Sequence, residues 1–224
     1  MEIAKANKTA SVITNDPVFL IQLCELLIIN PLYDEIFVIT NVKQTLESKQ
    51  LHWFQVKNLT QINTNQLGNR DDVFCRVRNN DSIENYNTFL FTLLKNCSLQ
   101  EYARAYINID LFQYLQKGSL SKLLSFQMLE EQILKLPFWS ANVLVTVKTN
   151  SVDTKALDES EILKTGRRYI GMKLLSSLGL PLIVIPSLKI AKAMDLMTYS
   201  LNQGSKIFHS DDIQKLLNNA KDRN

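Results

Sequence analysis

Two short apolar runs, separated by a long amphipathic segment, give the clearest hydrophobic pattern in the chain. The runs are residues 143–147 and 182–185, and the segment between them covers about residues 159–178. The apolar positions of that segment recur at helical spacing, which predicts a helix. Two buried strands joined through a helix are typical of a βαβ unit, and hence of parallel strands that are covered on both faces.

The first 40 residues have the same arrangement. Strands are predicted at residues 11–14 and 35–40. Between them Asp16 and Pro17 give a strong helix start, because aspartate caps the first turn and proline fits the first helical position. The helix from Pro17 to about residue 29 is apolar nearly all round. We therefore expect it to lie between two layers or to be covered by a partner.

Two more strands are predicted before the pattern changes, at residues 52–56 and 73–77. In the second of them Arg76 and Arg78 are expected to face away from Phe74. Such alternation is typical of an edge strand or of a strand with one buried face.

Residues 81–136 are predicted to form three consecutive helices. Ser82 can cap the first. Ser98 and Glu101 have the spacing of a capping box, which predicts a second helix that runs to about residue 117. Ser119 can cap the third, which ends near residue 136. Two further helices are predicted towards the end of the chain, at residues 188–202 and after residue 210.

Together these elements predict an α/β fold: three layers, a mainly parallel sheet with βαβ units, and a helical insertion. Residues 1–80 form the N-terminal α/β half, residues 81–137 the helical insertion, and residues 138–224 the C-terminal α/β half. We expect the three parts to make one compact domain, since 224 residues suit a single large α/β unit.

Composition changes this picture little. The chain is 46% hydrophobic and 21% charged, with a formal net charge of +3, which is ordinary for a globular protein. Its cysteines, Cys24, Cys75 and Cys97, are odd in number and form no Cys-x-x-Cys pair, so we predict free thiols in a reducing compartment. The apolar runs are too short to span a bilayer, and the first residues lack a signal-peptide pattern. We expect a cytoplasmic protein that does not insert into a membrane.

Candidate chemistry is sparse. Neither a Gly-x-Gly-x-x-Gly nor a Walker-type loop occurs, and only six glycines are present. The turn at residues 14–17 could hold an anion at a helix N-terminus, but Asp16 would repel a phosphate there, which favours a capping role. His52 and His209 lie at no ligand spacing from another metal-binding residue. We predict no catalytic residue, no cofactor and no metal ligand.

The densest basic cluster lies in the predicted helix of the C-terminal half: Lys164, Arg167, Arg168 and Lys173. It predicts either a solvated helix face or a set of nucleic-acid contacts. The C-terminal half resembles the second half of restriction-endonuclease-like domains. In both, a strand, here ending in Thr146-Val147-Lys148, is followed by a helix with two arginines and by a further strand. The same order is similar to the shorter RAP domains of organellar RNA-processing proteins. In the nuclease family an acidic residue stands where this chain has Thr146, so the resemblance implies nucleic-acid binding without nuclease chemistry.

For function, the sequence favours a non-enzymatic interaction protein, an adaptor or structural subunit of a larger intracellular multi-protein assembly. One reason is the absence of a catalytic or cofactor motif. The other is the excess of apolar and aromatic residues over charged ones in the predicted helices: these residues are either buried within the chain or part of an interface, where aromatic residues are enriched. The predicted interface residues are Tyr102, Tyr106, Phe112, Tyr114 and Phe126. The expected partners are other protein subunits. The alternatives are the nucleic-acid-binding domain and an enzyme with a site at the strand ends around Asn15, Asp16 and Lys148.

Overall fold

The computed structural model describes residues 8–44, 46–62, 70–78, 82–111, 114, 120–146, 185–200 and 203–221. Within these residues strands alternate with helices along most of the chain. In chain order the elements are β1 (Lys8–Thr14), α1 (Pro17–Ile29), β2 (Tyr33–Thr40), β3 (Leu51–Gln55), a 3-10 turn (Leu59–Gln61), β4 (Asp72–Arg76), α2 (Ile83–Leu99), β5 (Arg104–Asp110), α3 (Leu120–Leu134), β6 (Ser140–Thr146), α4 (Ser187–Thr198), β7 (Gly204–Phe208) and α5 (Ser210–Lys221).

The strands form one sheet with the order β3-β2-β1-β4-β5-β6-β7, and all neighbouring strands are parallel. The chain begins in the middle at β1 and winds outward to β3. It then returns to β4, beside β1, and winds outward in the other direction to β7. The prediction of an α/β fold with a mainly parallel sheet and βαβ units is confirmed.

Helices cover both faces of the sheet, which gives the predicted three layers. Side chains of a strand alternate between the faces, so neighbours such as Val12 and Ile13 of β1 enter different cores. The Val12 face packs against α1, α4 and α5, whereas the Ile13 face packs against α2 and α3. Burial on both faces explains why the central strands are apolar along their length.

Helix α1 shows why an almost wholly apolar helix is stable here. Asp16 caps it and Pro17 is its first residue, as the sequence predicts. Its Phe19, Leu23 and Leu27 are fully buried against the sheet layer, and α4 packs along it as well. Most of the apolar face of the helix is therefore covered from within the chain, whereas Val18 and Ile29 remain exposed.

Strand β4 lies at the centre of the sheet, between β1 and β5, so the prediction of an edge strand is wrong. All five of its residues are buried. Arg76 is on the same face as Phe74, two residues earlier in the strand, and is buried because it pairs with a carboxylate. We interpreted Arg76 as a sign that one face of β4 is exposed, but this residue belongs to a buried ion pair.

The second helix predicted in residues 81–136 is also wrong. Helix α2 continues to Leu99, the Ser98 Oγ donates to the Lys95 carbonyl inside its last turn, and the chain then enters β5. A strand buried on both faces is apolar at successive positions, which periodicity alone does not distinguish from a helix. Residues 81–137 therefore contribute a strand to the sheet and do not form a purely helical layer. The helices predicted on either side are confirmed, as α2 and α3.

Helices α4 and α5 agree with the two helices predicted near the end of the chain, whereas β7 was not predicted. The helix predicted at about residues 159–178 lies outside the described residues, and so does the strand at residues 182–185 apart from Ile185, which is buried. No helix in the described part of the chain combines the length and the apolar character needed to cross a membrane.

Candidate functional site

The carboxyl ends of β1 and β4 meet at the centre of the sheet, where the direction of winding changes. Thr14, the last residue of β1, is the register partner of Arg76, the last residue of β4. Helix α1 leads from β1 to β2, whereas α2 leads from β4 to β5 on the other side. In open α/β sheets, ligands bind in the crevice outside the carboxyl ends of the strands at such a switch point. This crevice is the candidate functional site.

Asp16 stands at the centre of the site and is fully buried. Its Oδ1 accepts a hydrogen bond from the Phe19 backbone N–H at 3.3 Å. Its own N–H donates to the Thr14 Oγ1 at 3.0 Å. Pro17, the next residue, has no N–H to offer. The positive end of the α1 dipole therefore faces a carboxylate that belongs to the chain itself.

Two arginines from the end of β4 surround this carboxylate. The Arg78 Nη2 and Nε donate to the Asp16 Oδ2 at 2.7 and 3.0 Å, and the Arg76 Nε lies 3.3 Å from the same oxygen. The Arg76 side chain is only 3% exposed, whereas that of Arg78 is 33% exposed. Burial lowers the pKa of Arg76, and the charges of Asp16 and Asp110 act in the opposite direction.

Asn15 joins the two strand ends directly. Its Oδ1 accepts from the Arg78 backbone N–H at 2.7 Å, and its Nδ2 donates to the Arg78 carbonyl at 3.0 Å. This reciprocal pair holds the β1–α1 turn against the end of β4. The geometry of the Asp16–arginine cluster is thus set by backbone contacts as well as by charge.

A row of polar residues continues the site along β5 and β6. The Asn108 Nδ2 donates to the Leu144 carbonyl and to the Thr146 Oγ1, both at 2.9 Å. Asp110, the last residue of β5, is the register partner of Thr146. Cys75 and Ile107 are also register partners, so the residues that follow them, Arg76 and Asn108, stand side by side. The Arg76 Nη1 and the Asn108 Oδ1 are both buried, and neither has a hydrogen-bond partner among the described residues.

The sheet order and its central switch point define a Rossmann-like α/β fold. It matches solved structures over nearly the whole chain. A protein from Bacteroides thetaiotaomicron proposed to be an epimerase is 11% identical, with 91% of this chain and 97% of that chain covered and a TM-score of 0.56. A nucleoside-diphosphate-sugar epimerase from Staphylococcus aureus is 8% identical, with 95% and 77% covered and a TM-score of 0.56. The Bordetella bronchiseptica enzyme WbmG, solved with NAD and UDP, is 12% identical, with 94% and 78% covered and a TM-score of 0.52.

No family model matches the sequence, and no curated protein matches it. At 8–12% identity the likeness to the solved structures is one of fold.

These structures overturn the predicted adaptor or structural-subunit function, because the neighbours include a nucleoside-diphosphate-sugar epimerase and an enzyme solved with NAD and UDP. The physical basis of that prediction is lost too. Tyr102, Tyr106, Tyr114 and Phe126 are buried and pack inside the domain, so they present no exposed aromatic patch. The Tyr102 hydroxyl, for example, lies 2.7 Å from the Ser11 Oγ. Phe112 lies outside the described residues.

The dinucleotide that such folds bind places its pyrophosphate on the N-terminal N–H groups of the first helix, across a glycine-rich turn. The residues at this turn do not fit that group. Residues 14–17 contain no glycine, and the Asp16 carboxylate already takes the helix terminus. A pyrophosphate there would lie beside a buried negative charge.

Of the other predicted site residues, some lie at the switch point and the rest lie outside the described residues. Asn15 and Asp16, named for the enzyme alternative, lie at the switch point. Lys148 and the basic cluster (Lys164, Arg167, Arg168 and Lys173) lie outside the described residues, so nucleic-acid contact stays a prediction. His52 stacks on Phe37, with ring centroids 4.8 Å apart. In the described part of the chain, no group of three or more His, Cys, Asp or Glu side chains could hold a metal ion.

Arg76, Arg78, Asn108 and Asp110 were not predicted as residues of the site. A signal for them is present, because each of these polar residues stands at or near the end of an apolar strand. Carboxyl ends of parallel strands meet at one edge of a sheet, where ligands bind. For β5 the signal was hidden, since we interpreted its residues as helical.

Proposed function

We propose that this chain is an enzyme that acts on a sugar, carried as a nucleoside-diphosphate sugar, at the carboxyl edge of its sheet. The fold supports the class of enzyme, since structural neighbours include a nucleoside-diphosphate-sugar epimerase and a UDP-N-acetylglucosamine 4-epimerase from Bacillus cereus. The latter is 14% identical with a TM-score of 0.51.

One observation carries the choice of ligand. A donor, the Arg76 Nη1, and an acceptor, the Asn108 Oδ1, lie on adjacent strands of the site, and both are buried without a partner in the part of the chain that the structure describes. Buried polar groups in proteins are nearly always hydrogen-bonded, so an unpartnered pair calls for an explanation. A hydroxyl group both donates and accepts, and it is small enough to reach between two strand ends. Sugars supply such hydroxyls.

Asp110 is the residue that we expect to move a proton in this site. It ends β5 on the face of Arg76 and Asn108, it is partly exposed, and its charge is felt by Arg76. A carboxylate at hydrogen-bond distance from a sugar hydroxyl can act as a general base. We assign it that role.

The test is binding and turnover of nucleotide sugars by the full chain. UDP, UDP-glucose and UDP-N-acetylglucosamine are titrated by calorimetry, and conversion of each sugar is followed through its anomeric proton by NMR. Asp110→Asn is expected to lower turnover by about 10²–10⁴-fold, the usual contribution of a general acid or base. Asn108→Leu is expected to weaken binding by about tenfold, as loss of one hydrogen bond does.

Asp34→Asn is the matched control, because Asp34 lies at the start of β2 and hence at the opposite edge of the sheet. It is expected to leave binding and turnover unchanged. The proposal fails if none of the nucleotide sugars binds or is converted, or if Asp34→Asn and Asp110→Asn have the same effect.

We also infer that the enzyme works in a reducing compartment, as a cytoplasmic protein does. Cys24, Cys75 and Cys97 are free thiols in the interior, which supports this location.

A further inference from the structure

The N-terminus of α1 is where a Rossmann-like fold offers its backbone N–H groups to a phosphate. In this chain α1 is a 13-residue helix, long enough for its dipole to act on a charge at its end. The charge found there is the Asp16 carboxylate. One of its oxygens accepts from the Phe19 N–H and the other is held by Arg78 and Arg76.

The components of this cluster act against the binding of a free anion in different ways, although two of them are cations. Asp16 adds a negative charge to the helix end, and it is 0% exposed, so water does not screen it. Two N–H groups of Arg78 already donate to the Asp16 Oδ2, so they are not available to an anion. Pro17 removes one helix N–H, and Asn15 closes the turn onto the Arg78 backbone.

Space argues in the same direction as charge. Glycines in a phosphate-binding turn allow the backbone to approach the pyrophosphate closely. Residues 14–17 all carry side chains, and the Thr14 Oγ1 accepts from the Asp16 N–H. The turn is therefore filled by its own polar groups.

We propose that the Asp16 carboxylate is a built-in replacement for the cofactor pyrophosphate, so that this chain holds no nicotinamide dinucleotide at its β1–α1 turn. In this chain the helix end and the two arginines bind Asp16, whereas in dinucleotide-binding folds the helix end holds the pyrophosphate. Any reaction at the ends of β4, β5 and β6 therefore proceeds without a hydride carrier bound at the β1–α1 turn. The inference does not depend on the proposed sugar substrate, although Arg76 takes part in both: its Nε lies 3.3 Å from the Asp16 Oδ2, and its Nη1 is the donor assigned to the sugar.

The decisive measurement is the affinity of the wild-type chain for NAD⁺, NADH, NADP⁺ and NADPH, by calorimetry and by the fluorescence of the reduced forms. We expect no saturation at ligand concentrations up to about 1 mM. Saturable binding of any of the four at lower concentrations overturns the inference. UDP binding in a parallel titration tests the proposed substrate separately. The proposed function and this inference can therefore fail independently.

Two variants test whether Asp16 is the cause. Asp16→Asn and Asp16→Ser remove the charge while keeping a side chain that can cap a helix. With the arginines released, both are expected to bind inorganic pyrophosphate at least tenfold more tightly than wild type at low salt. Added salt should reduce this gain, because it screens a charge interaction.

Asp72→Asn is the matched control, since Asp72 is an equally buried carboxylate paired with an arginine at the other edge of the sheet. It is expected to gain no affinity for pyrophosphate. Circular dichroism establishes which variants fold, and the wild-type titration decides the inference if neither Asp16 variant does. Equal gains in the Asp16 and Asp72 variants, or no gain in a folded Asp16 variant, would contradict the role assigned to Asp16.

Discussion

Asp72 and Arg104 form a second buried ion pair, at the amino edge of the sheet. Asp72 is fully buried and Arg104 is 3% exposed. The Arg104 Nε donates to the Asp72 Oδ1 at 2.7 Å, and the Arg104 Nη2 and the Tyr33 hydroxyl both donate to the Oδ2. The Arg104 Nη1 donates to the Thr198 carbonyl at 2.8 Å, which ties β5 to the end of α4. The carboxylate is thus compensated by several donors.

Removal of the arginine alone should therefore be costly. Arg104→Met leaves Asp72 buried with its charge uncompensated, and we expect the free energy of unfolding to fall by about 3–5 kcal/mol. The double variant Asp72→Asn/Arg104→Met removes both charges, so it should lose less. Urea unfolding measures both. Equal losses in the single and the double variant would show that lost packing, and not the stranded charge, sets the cost.

Glu130 on α3 is a residue whose burial is not compensated. Its Oε1 is buried and has no hydrogen-bond partner within the described ranges, and burial raises the pKa of Glu130 to about 7. The unfolded value is about 4.3. Since the folded pKa is the higher one, the folded state binds the proton more tightly, and stability falls as pH rises from about 4.3 to about 7. The penalty is complete above that range.

Glu130→Gln should consequently raise the melting temperature at pH 8 and have a much smaller effect at pH 4. Glu131→Gln, on the exposed neighbour, is the control and should not produce this pH dependence. Thermal unfolding followed by circular dichroism at several pH values measures both. Parallel curves for wild type and Glu130→Gln would refute the pKa assignment.

At the scale of elements, α1 combines buried and exposed aliphatic residues in one helix. Leu23 is fully buried, whereas Ile29 is 76% exposed. Leu23→Ala leaves a cavity in the core beneath α1, so we expect a loss of about 2–5 kcal/mol. Ile29→Ala should change stability by no more than about 0.5 kcal/mol. Denaturant unfolding of both variants checks the packing, and comparable losses would contradict it.

The elements that the sequence predicted well are those with local signals. Asp16 and Pro17 mark the start of α1, and the strands on either side of it are apolar runs of ordinary length. Strand β5 has no such mark, because a strand buried on both faces shows no alternation. Strand β7 was missed for a different reason: it is short, and none of its five residues is fully buried.

Only part of the candidate site could be predicted from the sequence. Asn15 and Asp16 follow β1 and were recognised, as was the repulsion between Asp16 and a phosphate. Arg76 and Arg78 are about 60 positions away in sequence, and they join the site because β4 lies next to β1. No local pattern encodes that neighbour, since it results from the return of the chain across the sheet.

At the scale of the whole molecule, one sheet separates two hydrophobic cores that share its strands. Cys24 lies in the core beneath α1, whereas Cys75 and Cys97 lie in the core beneath α2 and α3. Because adjacent residues of one strand enter opposite cores, neither core can be lost without disturbing the other. We therefore expect the cores to unfold as one cooperative unit.

The cysteines can report this cooperativity. Burial raises the pKa of Cys24 and of Cys75 to about 12, and it raises the pKa of Cys97 as well. Since the thiolate is the reactive form, all three should resist iodoacetamide at pH 8 in the native state. With increasing urea, they should become labelled at one common midpoint, equal to that of the far-UV circular dichroism, as read by mass spectrometry of each cysteine peptide. Labelling of Cys97 at lower urea than Cys24 would show that the α2–α3 layer opens first, and would contradict a single unfolding unit.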